Sequence, residues 1–445
     1  MAVREGGGER STGWRFLWRA LGHRDYRLFF MGQGVSLVGT WLTRVATSWL
    51  VYRLSGSALL LGVVGFCGQI PAFLLSPFAG VLVDRWNRHR VLVVTQALAM
   101  VQSFVLAVLA LTGVIAVWHV AVLSVAQGLI AAFDLPARQA LVVELVEDRA
   151  DLPNAIALNS SMFNAARLLG PSVAGGLIAW VGEGGCFLVD GFSYLAVIGS
   201  LLAMRRTRSE RKEPHGHLLE ELKAGYTYVF QSPPIRTLLA FLAVVGLMGM
   251  PYTVLMPVMA SEVLKGGPST LGFLMAASGL GALGGAGYLA SRRTVRGFGR
   301  VIVLTGALFG VGLVGFALSR QWVMSLVTLA VAGYGLMVAL AASNTLLQTI
   351  VEERMRGRLM SFYAMAFLGT VPFGSLLAGT LAARIGAPAT IALCGVVCVG
   401  AAGGLHLKLP ELRERVRPIY ERLGIIPRVA PGMREAVRQM EPVEE

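Results

Sequence analysis

Five ionisable side chains, Arg44, Asp134, Arg138, Arg167 and Asp190, stand in or at the edge of long apolar runs of this 445-residue chain. In hydrocarbon each costs about 3 kcal/mol or more unless it is paired or faces water, so each is a candidate for ligand binding or proton exchange. Asp190 and Asp134 are the carboxylates that could change protonation state at depth, and so the candidates for coupling to protons. Arg167 can attract an anionic group or pair with a carboxylate. Arg44 and Asp190 lie at similar depth, either as a buried pair or as two residues satisfied separately by water. The second half has no acid deep in an apolar run: Glu262 lies at one end of a run, and Glu352 and Glu353 lie beyond another. Facilitated diffusion therefore stays open beside proton antiport.

Twelve apolar runs must position these charges, at 27–51, 58–82, 91–113, 118–136, 155–181, 185–204, 235–260, 269–291, 300–318, 322–350, 358–384 and 388–408. A hydrocarbon core of about 30 Å takes about 20 helical residues, so each run can cross it. Composition agrees: 55% of residues are hydrophobic and 14% charged, against about 25% charged in soluble domains. The 54 glycines suit helices that pack closely in lipid, where small residues let backbones approach.

Basic residues sort by side. Of 39 Lys and Arg, only Arg53, Lys265, Arg320 and Arg384 fall in the odd-numbered connections, and Arg44 and Arg167 fall within helices. The rest lie in the even-numbered connections and the two ends, which places both termini in the cytoplasm. The formal charge of +14 punctuates apolar runs rather than clustering on one soluble face, which argues against nucleic acid. The longest internal connection, 205–234, divides the chain into segments 1–26, 27–204, 205–234, 235–408 and 409–445. Within the connection Leu218, Leu219, Leu222, Tyr226, Val229 and Phe230 recur at helical spacing, as expected of an amphipathic helix along the membrane face. Trp14, Phe16 and Trp18 among arginines suggest a similar anchor, and the tail from Pro410 is expected to be partly helical. The start is too polar for a cleavable signal peptide. Cys67, Cys186, Cys394 and Cys398 read as small packing residues, with no metal site or disulfide.

The connection after the second run reads Gly80-Val-Leu-Val-Asp84-Arg85-Trp-Asn-Arg88-His-Arg90. Gly80 would let a neighbouring helix approach, Asp84 would accept N–H bonds at the start of a helix in the other half, and Arg88 would pair with a carboxylate. This pattern resembles the signature of the major facilitator superfamily, with Asn87 and His89 as departures. The resemblance implies a latch joining the two halves on the cytoplasmic side in the outward-facing state, with Asp134 as a partner of Arg88. A degenerate copy, Gly287 to Arg296, lies 207 residues on, as two related halves would leave. The fifth run carries Arg167, Gly170, Pro171, Ala174 and Gly175, similar to the exporter branch of the superfamily, where a bend at Pro171 and small residues seal the cytoplasm-facing cavity. Phe29 to Tyr52, Asp134 to Gln139 and Asn154 to Asn159 resemble a bacterial subgroup of siderophore and macrolide exporters.

The expected fold is an all-α integral membrane protein with twelve transmembrane helices in two pseudo-symmetric six-helix bundles. The resemblance implies a secondary exporter of small amphipathic molecules in the bacterial inner membrane, monomeric, driven by the proton gradient and needing no cofactor. Trp41, Gln69, Asn164, Met248, Met250, Asn344 and Gln348 are candidates to line its cavity. A lipid or lysophospholipid flippase, an importer and a non-transporting receptor are the alternatives. An enzyme is not expected, because there is no phosphate loop, HExxH or GxSxG, and the GxGxxG at Gly279, Gly281 and Gly284 lies inside an apolar run with no strand before it.

Overall fold

Turn chemistry begins and ends the early helices. Gly56, at φ 58°, ends α1 (Arg24–Ser55), and Ser57 then caps α2 (Ala58–Arg85) by accepting the Leu60 N–H. Asn87 caps α3 (Arg88–Leu111) by accepting the Arg90 N–H at 3.0 Å, so the residue that departs from the family pattern has a structural role. The computed structural model describes residues 18–146, 148, 150–205, 227–292, 294–423 and 425. The expected anchors at Trp14 and Phe16 and at 218–226 lie outside these residues, as does the side chain of Asp84.

After α4 (Val117–Glu144) comes a helical stretch of 52 residues, Leu152–Ala203. At about 1.5 Å per residue it is more than twice as long as one crossing needs. Gly182, with φ 72° and ψ 177°, divides it into α5 (152–181) and α6 (183–203). The second half holds α7 (Pro233–Val263), α8 (Pro268–Ser291), α9 (Phe298–Leu318), α10 (Trp322–Ile350), α11 (Arg356–Ile385) and α12 (Ala387–Leu407). Ten of these stretches are long and apolar enough to cross a membrane. With the 52-residue stretch taken as two, and with the more polar 32-residue α1, the described residues contain twelve spans. A final helix, α13 (Leu409–Arg422), follows directly and buries Leu409, Leu412 and Val416.

Several helices run past their expected limits. Pro136 sits within α4 without ending it, and α4 continues to Glu144. Wide π-type turns at Val245–Gly249 and Met259–Val263 interrupt α7 near Pro251 and Pro257, as proline requires when it removes helical hydrogen bonds.

Antiparallel succession puts the described chain ends and the even-numbered connections at one end of the molecule, called here the basic end, and Gly56, Gly182 and Gly386 at the far end. The buried apolar residues divide unevenly between the ends. One large cluster joins the far-end parts of the first half, such as Leu50, Leu61, Ala174 and Phe187, to the whole second half. A second cluster, from Ala20 to Met204 and including Tyr26, Leu92 and Leu141, lies at the basic end and contains only first-half residues. The two bundles therefore share a core at the far end and not at the basic end.

Candidate functional site

Two glycine crossings build the far-end contact between the bundles. In α2 and α11, a Cβ on Gly62 would lie 2.6 Å from the Ser375 carbonyl oxygen and 2.9 Å from Gly379 Cα. In α5 and α8, a Cβ on Gly175 would lie 2.8 Å from the Pro268 carbonyl oxygen, and one on Gly272 would lie 2.6 Å from the Pro171 carbonyl oxygen. Ser269 Oγ also donates to the Gly175 carbonyl at 3.3 Å. The same pairing recurs with the halves exchanged, the second helix of one against the fifth of the other. The seams run toward mid-membrane, where Leu168 meets Gly279 and Phe73 meets Gly369 and Phe373. The hydroxyl of Tyr52 on α1 adds a 2.5 Å bond to Glu262 on α7, and Arg53 pairs with Glu183 at 2.7 Å beside it.

At the basic end the contact stops. A Cβ on Gly80 of α2 or on Gly287 of α8 would meet nothing within 4 Å. The close approach expected at Gly80 is absent because the bundles part here. Arg88 forms an ion pair with Glu144, at the end of α4 in its own half, and not with Asp134. The reason is register: Arg88 opens α3 and Glu144 closes its antiparallel neighbour, while Asp134 is ten residues, about 15 Å, deeper. Arg85 and Arg90 are exposed.

Asp134 is buried between α3 and α4 in a closed set of partners. Its Oδ1 accepts from Gln96 Nε2 at 2.6 Å and Thr95 Oγ1 at 3.1 Å, and its Oδ2 pairs with Arg138 one turn along α4. The Arg138 guanidinium lies 5.7 Å from the Phe163 ring. Among the described residues Asp190 is the most enclosed carboxylate, 1% exposed. It accepts from Ser103 Oγ at 2.7 Å and Thr43 Oγ1 at 2.8 Å, with Ser193 Oγ at 3.5 Å. It is not paired with Arg44, because adjacent residues of a helix point about 100° apart: Thr43 turns into the bundle and Arg44 away from it. Asp190 thus has hydroxyl partners and no cation, whereas Asp134 has both.

Arg44 and Arg167 face the space between the halves. Arg44 is exposed and shares the face of α1 that carries Trp41, three residues before it. Its guanidinium lies 4.8 Å from the Trp41 ring, and Trp41 fits against Gly170 on α5. Arg167 is one turn from Gly170, beside Leu168 where the α5–α8 seam ends. Tyr252 and Ser278 share a 2.8 Å hydroxyl contact. Of the other cavity candidates, Gln69 and Asn164 bond to their own helices at Gly65 and Ser160. Gln348 donates to Asn344 at 2.9 Å, and Met248 and Met250 pack against the shared core. Pro171 and Ala174 are buried at the α5–α8 seam.

Sequence reasoning passed over Glu144, Tyr52, Glu183 and the hydroxyls around Asp190. The Asp134–Arg138 pair was visible as an i,i+4 spacing. The hydroxyl shell was not, since Thr43, Ser103 and Ser193 come from three helices. At the mouth of the first bundle Asp151 pairs with Arg19 at 2.9 Å and His23 at 3.2 Å, and Tyr26 donates to the Ala155 carbonyl.

Two six-helix bundles joined by exchange-related glycine crossings around intramembrane charges define a transporter of the major facilitator fold. The family described as transmembrane secretion effector matches residues 17–421, and the chain belongs to it. The multidrug efflux pump Tap of Mycolicibacterium fortuitum is 30% identical over 84% of this chain and 93% of that protein. The staphyloferrin A transporter of Staphylococcus aureus is 24% identical over 84% of this chain and 94% of that protein. Among solved structures, an inward-facing, unoccupied bacterial homologue of the human lysosomal transporter Spinster superposes with a TM-score of 0.66. It is 14% identical and covers 89% of this chain and 97% of its own.

Proposed function

We propose that this protein exports small amphipathic organic molecules across the bacterial inner membrane by alternating access, coupled to proton entry. The observation that carries the reading is the asymmetry of the inter-bundle contact: the bundles meet backbone to backbone at Gly62–Gly379 and Gly175–Gly272 and part at Gly80 and Gly287. Rocking about such seams would open the far end as the basic end closes. The basic end is cytoplasmic in this reading, by the positive-inside rule, so the conformer faces inward. Relatives named for a siderophore and for multidrug efflux support a cargo of that kind. The protein works as a monomer, with small molecules and lipid rather than nucleic acid as its partners.

Asp190 is the assigned proton carrier. A carboxylate held by hydroxyls alone gains or loses a proton without leaving a buried cation unpaired, which Asp134 cannot do. The latch of Asp84, Arg85 and Arg88 belongs to the opposite conformer. Accumulation of a panel of drugs and siderophores in an efflux-deficient host, with and without an uncoupler, tests the reading. Expression should lower the accumulation of at least one compound, and the uncoupler should restore it. Unchanged accumulation of every compound would remove the export assignment.

A further inference from the structure

Among the described residues Arg44 and Arg167 are the intramembrane cations without a carboxylate partner. The acids at membrane depth are otherwise engaged: Asp134 by Arg138, Gln96 and Thr95, and Asp190 by hydroxyls on the far side of α1. Toward the far end, Glu183 is paired with Arg53 and Glu262 with Tyr52. Among the described residues neither Arg44 nor Arg167 forms an ion pair, and the two flank one helix contact: Arg44 lies over the Trp41 ring, Trp41 sits on Gly170, and Arg167 is one turn before Gly170 on α5. Two guanidinium groups that face this space with no internal counter-ion leave their donors free for an anion that enters it. Guanidinium groups also present planar donor forks that match a carboxylate or phosphate. Trp41, stacked against Arg44 and seated on Gly170, supplies an apolar wall beside them.

We propose that Arg44 and Arg167 form an anion-binding subsite at the apex of the space between the bundles, which takes the carboxylate of an amphipathic cargo while Trp41 packs against its apolar part. This rests on the export reading for its biological meaning and names the substrate class of that site. The binding itself needs no transport.

The test is equilibrium binding of two dyes that share a ring system and differ in charge, carboxyfluorescein and rhodamine 6G, to the purified full chain in detergent. The wild type should bind carboxyfluorescein. Arg44→Gln and Arg167→Gln should each lower the ratio of carboxyfluorescein to rhodamine affinity by about tenfold or more, the scale of a lost charged hydrogen bond. Arg→Lys at either position should fall between the wild type and the Gln variant, because charge is retained while the fork is lost. If the Gln variants do not fold, carboxyfluorescein should protect Arg44 and Arg167 of the wild type from phenylglyoxal, read by peptide mass spectrometry. The proposal is overturned by a wild type that does not bind carboxyfluorescein, by an unchanged ratio in folded Gln variants, or by absence of protection. Rhodamine flux in proteoliposomes without carboxyfluorescein binding would sink the subsite and leave export standing. Binding that depends on the two arginines, with no flux of either dye, would do the reverse.

Discussion

Tyr52 and Glu262 join the two bundles by a side-chain hydrogen bond, from the end of α1 to the end of α7, at the end of the molecule where the core is shared. A bond to a carboxylate contributes about 1.5–3 kcal/mol, so it biases the far end toward closure. Tyr52→Phe keeps the ring in its buried place and removes only the donor. The expected result is a larger far-end-open population, about tenfold or more, measured by distances between spin labels on α1 and α7. An unchanged distance distribution would show that the glycine seams alone hold this end.

The seams give a sharper test, because they place backbone against backbone. Gly62→Ala adds a carbon 2.6 Å from a carbonyl oxygen, which α2 and α11 can accommodate only by separating. Overpacking of this kind costs about 1–3 kcal/mol, a population shift of about 5- to 150-fold. Cysteines introduced at the far end of α2 and α11 should become more reactive toward impermeant maleimide, and transport should fall. Gly176→Ala, where a Cβ would meet nothing within 4 Å, should leave both unchanged.

The apolar runs made the twelve helices legible, since length and hydropathy are local properties of the chain. The proline-tolerant extension of α4 to Glu144 was not, because neighbouring helices decide whether Pro136 ends a helix. The intramembrane charges were legible as a set, and their partners were not. Asp190 invited pairing with Arg44 on depth alone, yet rotation about α1 sends Thr43 rather than Arg44 toward it. Gly62 and Gly379 were two glycines among 54, and only the crossing of α2 and α11 singles them out.

In the proposed cycle Gly80 acts in the other conformer. In this structure a Cβ there would touch nothing, so Gly80→Leu should change the stability of this conformer by no more than about 0.5 kcal/mol. If the basic ends must approach for turnover, the same variant should transport at well under a tenth of the wild-type rate. Thermal unfolding and proteoliposome flux measured on one preparation separate the two effects. Wild-type flux would mean that the basic end of α2 never meets the second half.

Asp134 separates structure from coupling. Its partners Arg138, Gln96 and Thr95 are all turned into the α3–α4 interface, so Asp134→Ala would strand a buried guanidinium and an amide together. Breaking such a pair from one side costs about 3–5 kcal/mol, enough to lower the yield of folded protein and its unfolding temperature. Asp134→Leu combined with Arg138→Met removes both charges at similar volume and should recover most of that loss, because the cost lies in the stranded cation rather than in the missing pair. Tryptophan fluorescence during thermal unfolding reads both variants. Asp190→Asn behaves differently in this scheme: it keeps an acceptor for Ser103 and Thr43 and strands no cation, so the protein should stay folded, lose uphill export and retain downhill exchange. An Asp134→Ala protein as stable as the wild type, or an Asp190→Asn protein that still exports against a gradient, would reverse the two assignments.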